Sequence, residues 1–252
     1  MTMLVSLTSL VLAVAPFGPQ SDSLPGKRTL DSYPFQIGER LDYSAKIGML
    51  RLGDASIQVA ALDTVRGVPT FRFRYSIEGG NFLFKINSVS ESWTSIDEFK
   101  SLRFRHNSQE NDKTYLRDYD IFPDSGFYRQ RGKEGQQPTP PQPLDDASLL
   151  YFVRTTPLEI GQVYRFDKYF INDKNPLVIR VLKRERMDLP DGSKVDCLVL
   201  NPVIDDKGMF ADRAEARLWI TDDARRIPVQ IRSKYPWGTV TLRIEKMTLA
   251  GD

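Results

Sequence analysis

The chain holds a single histidine, His106, and a single cysteine, Cys197, and these are the residue types that most often carry catalysis. His106 sits in Arg103-Phe-Arg-His-Asn-Ser-Gln-Glu110 with no second His or Cys nearby. A metal site needs three or four converging ligands, so no metal is expected and His106 reads as a solvent-facing strand residue. Cys197, in Val195-Asp-Cys-Leu-Val199, reads as a small apolar residue, because a nucleophilic thiol needs a partner base. Neither a Gly-x-Ser-x-Gly elbow nor a Ser-x-x-Lys pair occurs, and no glycine-rich phosphate loop follows a strand. Glu91, Asp97 and Glu98 flank Trp93. Two carboxyls across a cleft would make a glycan-cleaving site. Asp97 and Asp223, however, lie in turns, where Asp usually bonds backbone amides. No catalytic residue and no cofactor is assigned.

Binding chemistry is better represented. Arg180, Arg184 and Arg186 are expected on one face of a strand, and Arg225 and Arg226 follow the acidic pair Asp222-Asp223. These could meet an anionic head group at a rim. Aromatic residues make up 11% of the chain and cluster in strand-like segments, where they either fill a core or line an apolar cavity. Phe82 and Phe84, following Gly79-Gly80, together with Trp93 and Trp219, are the candidates for such a groove. The chain has 35 Lys+Arg against 33 Asp+Glu, a net charge of +2, which gives no general grip on phosphate backbones and argues against nucleic acid as a partner.

The elements that position these residues have a period of two. Leu41, Tyr43, Ala45, Ile47 and Met49 alternate with polar residues, and Phe71, Phe73, Tyr75 and Ile77 repeat the pattern. Turn residues such as Arg66-Gly67 and Pro190-Asp-Gly192 separate the strands. The fold class is therefore mostly β, an antiparallel sandwich or open β-barrel of about 12 strands with one short helix. The helix is predicted over 145–154, where Asp145-Asp146 complements the N-terminal dipole and Arg154 the C-terminal one. Before it, 132–143 is rich in Gly, Gln and Pro and reads as a mobile loop.

Two halves, 33–131 and 156–252, repeat one order of motifs. Pro34-Phe-Gln-Ile-Gly38 matches Pro157-Leu-Glu-Ile-Gly161, and Trp93-Thr-Ser-Ile-Asp97 matches Trp219-Ile-Thr-Asp-Asp223. The Gly-to-Trp separations are 55 and 58 residues. An internal duplication fits. At the N-terminus, Leu4 to Phe17 is apolar and ends near Ala13-Val14-Ala15, with no Lys or Arg before it. It is too short to span a bilayer, so residues 1–20 are expected to be a signal peptide, 21–32 a leader and 33–252 one β domain. The mature protein is then exported, periplasmic or envelope-associated, with no transmembrane span. With no Cys near the cleavage region, no lipid anchor is expected.

Phe35-x-Ile-Gly-Glu-x-Leu-x-Tyr43, the Gly48…Gly53-Asp-Ala hairpin, Asp146-x-Ser-Leu-Leu-Tyr-x-Val-Arg154 and Trp219-Ile-Thr-x-Asp-x-Arg-Arg-x-Pro-Val229 occur in that order. This set resembles the bacterial exported family catalogued as domain of unknown function 3108, over about residues 33 to 248. The resemblance implies a secreted or periplasmic, mostly-β domain with no established reaction. The closing hairpin, in which a Trp strand runs through an acidic turn into a strand opened by Pro, is also similar to that of periplasmic lipoprotein-carrier half-barrels.

The leading expectation is a non-catalytic carrier-like module for a hydrophobic or amphipathic envelope ligand, or for an envelope protein. Its groove would use Phe82, Phe84, Trp93 and Trp219, with Arg225 and Arg226 at the rim. The alternatives are a scaffold without a pocket and a hydrolase acting on cell wall or polysaccharide. Trp93→Ala and Trp219→Ala should each cost about 3–5 kcal/mol in chemical denaturation if the rings are packed. Near-wild-type stability with lost binding would instead place them in a site.

Overall fold

A computed structural model describes residues 27–80, 85–204, 209–236 and 238–249. The first half is a meander of β1 (Arg40–Ile47), β2 (Leu50–Val65), β3 (Val68–Gly80), β4 (Lys85–Ser95), β5 (Ser101–Glu110), β6 (Lys113–Phe122), β7 (Phe127–Gln130) and β8 (Gln137–Pro138). Helix α1 (Asp146–Thr155) follows. The second half is β9 (Val163–Phe166), β10 (Leu177–Asp188), β11 (Lys194–Val203), β12 (Arg217–Thr221), β13 (Pro228–Tyr235) and β14 (Gly238–Thr248). All fourteen strands form one antiparallel sheet, ordered β8 to β1 and then β14 to β9, so β1 pairing with β14 is the seam between the halves.

Among the described residues, the expected mostly-β fold with one short α-helix is what forms. The strand count is two higher than the predicted twelve, and one reason lies in 132–143. That stretch is not simply a loop: Gln137 and Pro138 pair with Tyr128 and Phe127 as β8. The Thr139 amide donates to the Gly126 carbonyl, and its hydroxyl donates to the Phe170 carbonyl. Proline is tolerated there because β8 is an edge strand.

The alternation in β1 to β3 buries Leu41, Tyr43, Ile57, Phe71 and Phe73 on the face that receives α1. The helix carries buried Leu149, Leu150, Tyr151, Phe152 and Val153. Tyr151 stacks on Phe73 at 3.9 Å between centroids and meets Phe35 edge-on at 4.9 Å. These rings fill the space that the curved sheet encloses. The void beside Ile57, Tyr151 and Pro228 is too small to admit a water molecule.

The two halves start alike in their hydrogen bonding. The Gly38 amide donates to Val59 O, and the Val59 amide donates to Glu39 O. In the second half, the Gly161 amide donates to Val181 O, and the Val181 amide donates to Gln162 O. Gly38 and Gly161 take φ values of 88° and 87°, the left-handed turn that glycine adopts at least cost. Trp93 and Trp219 both fall on the fourth strand of their half, each beside a register shift.

The start of α1 is built as a polar plug. Asp145 caps the helix, its Oδ1 accepting from the Ala147 and Ser148 amides, while the Ser148 hydroxyl accepts from the Asp145 amide. The other oxygen, Oδ2, accepts from Ser92 on β4, 2.6 Å away. Burial outweighs these bonds and raises the Asp145 carboxyl to about 6. The unfolded chain has its Asp near 3.9, so the folded state binds the proton more tightly. Ionising Asp145 therefore costs stability as pH rises from about 4 to about 6. Asp145→Asn keeps a good cap and should flatten that part of the stability–pH curve, measured by urea unfolding at several pH values. An unchanged slope would contradict the assignment.

A cationic cleft at the rim

Arg154, at the end of α1, is the most heavily bonded side chain of the site. Its guanidinium pairs with both carboxylate oxygens of Glu39, Nη2 lying 2.9 Å from Oε2. Nη2 also donates to Pro34 O at 3.1 Å and to Arg225 O at 2.9 Å. The side chains of Arg154 and Glu39 are 1% and 5% exposed. The guanidinium also lies 5.2 Å from the Phe35 ring centre and 5.5 Å from that of Tyr151. One residue thus ties the helix end to the entry turn of the first half and to the β12–β13 turn of the second.

Those three segments border an open cleft of about 730 Å³. Lys27, Arg28, Arg154 and Arg226 line it together with hydroxyl-bearing Thr29, Ser32, Tyr33, Thr155 and Thr156, and no carboxylate is among its lining residues. Arg28 packs 5.5 Å from the Tyr33 ring centre. The Tyr33 hydroxyl donates to Ile96 O, and burial pushes its pKa up to about 12, so it stays a neutral donor. Arg226 is half-buried, takes φ 51°, and pairs with Asp222 at 3.2 Å. The turn is held by Asp223, whose Oδ1 accepts from the Arg225 and Arg226 amides and from the Thr221 hydroxyl. Asp97 plays the corresponding part in its own turn, accepting from the Glu98 amide. Both carboxylates act as turn residues, as their sequence context suggests.

Of the residues singled out from the sequence, Arg226 lines the cleft and Arg225 contributes its carbonyl to Arg154. Trp93 and Trp219 lie elsewhere. Trp93 pairs across strands with Arg72 and Arg103, on the sheet face opposite to Ser92 and α1. Its Nε1 donates to Asp63 at 2.9 Å, and the Arg103 guanidinium covers its ring at 4.7 Å. Trp219 faces the same way, cross-strand from Val199 and Gln230, with the Arg232 guanidinium 6.0 Å from its ring. Neither ring lines an interior groove. Phe82 and Phe84 lie outside the described residues.

Two expectations change. His106 is not solvent-facing: it is half-buried, 2.9 Å from the Ser90 hydroxyl through Nδ1, and burial lowers its pKa. The bond arises because Ser90 and His106 are direct cross-strand partners. The second change concerns the arginines of β10. Arg180 pairs with Asn201 but Arg184 with Leu198, because a bulge between Val181 and Lys183 puts them on opposite faces. Glu91 sits on the outer face beside Arg74 at 3.6 Å. Cys197 is buried, which pushes its thiol up to about 12 and leaves it inert. The pair that sequence reasoning missed is Glu39–Arg154. Its members lie 115 residues apart, and only their place in the Ile-Gly-Glu turn and at the helix end singled them out.

The fold and site together define a helix-filled, barrel-like β domain with a cationic cleft at one rim. The chain belongs to the family described as "Protein of unknown function (DUF3108)", whose profile matches residues 42–245. No curated protein matches the chain. Among solved structures it is similar to a β-barrel-like protein of family DUF1849 from Brucella abortus, at 10% identity, with a TM-score of 0.53 and coverage of 85% of this chain and 98% of that one. A candidate lipoprotein from Parabacteroides distasonis matches at 8% identity and a TM-score of 0.36, over 86% of this chain and 98% of that one. The first likeness supports the barrel-like fold and nothing further. Among the described residues, no helix is long and apolar enough to cross a membrane.

Arg154→Ala should strand the Glu39 carboxylate in the interior and cost about 3–5 kcal/mol in chemical denaturation. A loss below 1 kcal/mol would show that the pair is not buried as described.

Proposed function

We propose that this protein is an exported, non-catalytic binding module that holds an anionic, amphipathic envelope ligand or partner at the rim cleft. The observation that carries the reading is the 730 Å³ opening lined by Lys27, Arg28, Arg154 and Arg226 without a carboxylate. Arg154 is committed to Glu39 and Arg226 already pairs with Asp222, so Lys27 and Arg28 are the cleft cations best placed to meet a negative charge, with Arg226 beside them. The filled interior redirects the carrier idea: an acyl chain would lie along the cleft and not inside the sheet, with Tyr33 and Pro34 as its apolar floor. Export is supported by the apolar run Leu4 to Phe17 and its Ala-Val-Ala end. The division into a signal peptide, a leader and one β domain of two duplicated halves belongs to the same proposal, and the matched hydrogen bonds at Gly38 and Gly161 support it. The packed core also favours a second reading, an envelope scaffold in which the same cleft seats a neighbouring protein.

Native mass spectrometry of the protein purified gently from a bacterial envelope tests the ligand reading. An anionic amphiphile should be retained, and added lysophosphatidylglycerol should bind wild type but not Arg28→Glu/Arg226→Glu. A clean apo mass together with no lysophosphatidylglycerol binding would reject it in favour of the scaffold.

A further inference from the structure

Three guanidinium groups converge on one shielded carboxylate on the outer face of the sheet, away from the cleft. Asp120 on β6 accepts two hydrogen bonds from Arg131, at 3.1 and 2.8 Å, and has Arg129 at 3.7 Å and Arg66 at 4.0 Å. The carboxylate is 9% exposed, whereas Arg66, Arg129 and Arg131 are 36%, 52% and 46% exposed. Asp118 lies 3.8 Å from Arg131 and 2.9 Å from Arg103, so two carboxylates face four guanidinium groups and positive charge is left in excess. Burial lowers the pKa of Arg66; Asp120 and Asp124 oppose that shift, and Arg129 and Arg131 add to it. Arg66 and Arg129 also share the Phe122 ring, at 4.3 and 5.3 Å from its centre.

The cluster ends a longer pattern. Cross-strand register aligns Arg72, Trp93, Arg103, Asp120 and Arg129 in one row over β3 to β7. The next row reads Arg74, Glu91, Arg105 and Asp118, and the Arg131 amide donates to Asp118 O to close it. Directly paired residues share a face, so both rows point outward with Trp93. Seven arginines (66, 72, 74, 103, 105, 129 and 131) meet five carboxylates, Asp63, Glu78, Glu91, Asp118 and Asp120, of which Glu78 lies at the far end of β3. Glu91 and Asp118 are only 18% and 16% exposed. Glu91, Asp118 and Asp120 lie low beside the arginines, Asp63 is exposed, and Arg74, Arg129 and Arg131 reach further into solvent than the three shielded acids. The exposed Asp124 nearby is bonded to Lys100.

We propose that the outer face of β3 to β7 is a docking surface for an acidic envelope polysaccharide that carries a carboxylate on every second sugar. Strands repeat at about 4.8 Å, so the arginines of β3, β5 and β7 recur at about 9.6 Å, a spacing suited to anions two sugar rings apart. The acids of β4 and β6 sit between them and oppose a polymer charged at every unit. That disfavours nucleic acid, as does the overall charge of +2. Arginine suits the task because its planar fork takes a carboxylate through two bonds.

Calorimetric titration of the full chain with hyaluronan, which has one carboxylate per disaccharide, tests the proposal, with neutral dextran and duplex DNA in parallel. Wild type should bind hyaluronan and not dextran, and Arg129→Gln/Arg131→Gln should weaken binding about tenfold or more. Lys183→Gln/Arg184→Gln removes the same charge from exposed positions of the second half and should change it less than about twofold. Arg129→Gln alone serves if the double variant fails to fold, because its side chain is half exposed. No hyaluronan binding by wild type, an equal loss in the two double variants, or tighter binding of DNA would each overturn the proposal.

Discussion

The Glu39–Arg154 ion pair is the constraint around which the rest of the molecule is arranged. Removing two charges from water is costly, and the pair is tolerated because each nitrogen of the guanidinium head donates a hydrogen bond. Two carboxylate oxygens and the carbonyls of Pro34 and Arg225 receive it, with the Phe35 and Tyr151 rings alongside. Its effect is geometric. Glu39 precedes β1, the seam strand, and Arg154 closes α1, so the pair fixes the depth at which the helix sits inside the sheet. That depth decides that the Tyr151 ring meets Phe73 and Phe35, and that the interior is packed and not hollow.

With the interior filled, the cationic features lie at the surface. A curved sheet of this length could enclose a ligand, as barrels of comparable strand number do. Here α1 occupies that space, anchored at its start by Asp145, Ser92 and Ser148 and at its end by Arg154. The remaining features capable of recognition are at the surface, and both are cationic. The rim cleft combines Arg28 and Arg226 with hydroxyls, while the outer face of the first half holds arginines above shielded acids. In both places buried carboxylates are structural props, which is why a nearly neutral chain can still present positive surfaces.

The fold was largely legible in the sequence because its signal is local. Alternation in Leu41 to Ile47 and Phe71 to Ile77 marked β1 and β3, and the Asp145-Asp146…Arg154 charge order marked α1 to within one residue. Legibility ended where geometry depends on non-local pairing. The bulge after Val181 turned Arg184 away from Arg180, and Ser90 captured His106 only because the β4–β5 register set them side by side. Gln137 and Pro138 looked like loop because proline usually breaks ladders, yet an edge position admits it. Arg226, singled out from its acidic turn, lines the cleft. Lys27 and Arg28, which complete the cleft, carry no motif and are brought there by the packing of Tyr33 and Phe35 on Phe71.

The central claim is that recognition takes place at the cationic surface while the interior stays closed. Amide chemical-shift mapping during titration with lysophosphatidylglycerol tests it most directly. The account predicts perturbations confined to 27–34, 154–157 and 224–226, with Phe73 and Tyr151 unmoved. Large shifts at Phe73, Tyr151 and Ile57 would mean that the ligand displaces the helix and enters the sheet, and the account would be contradicted.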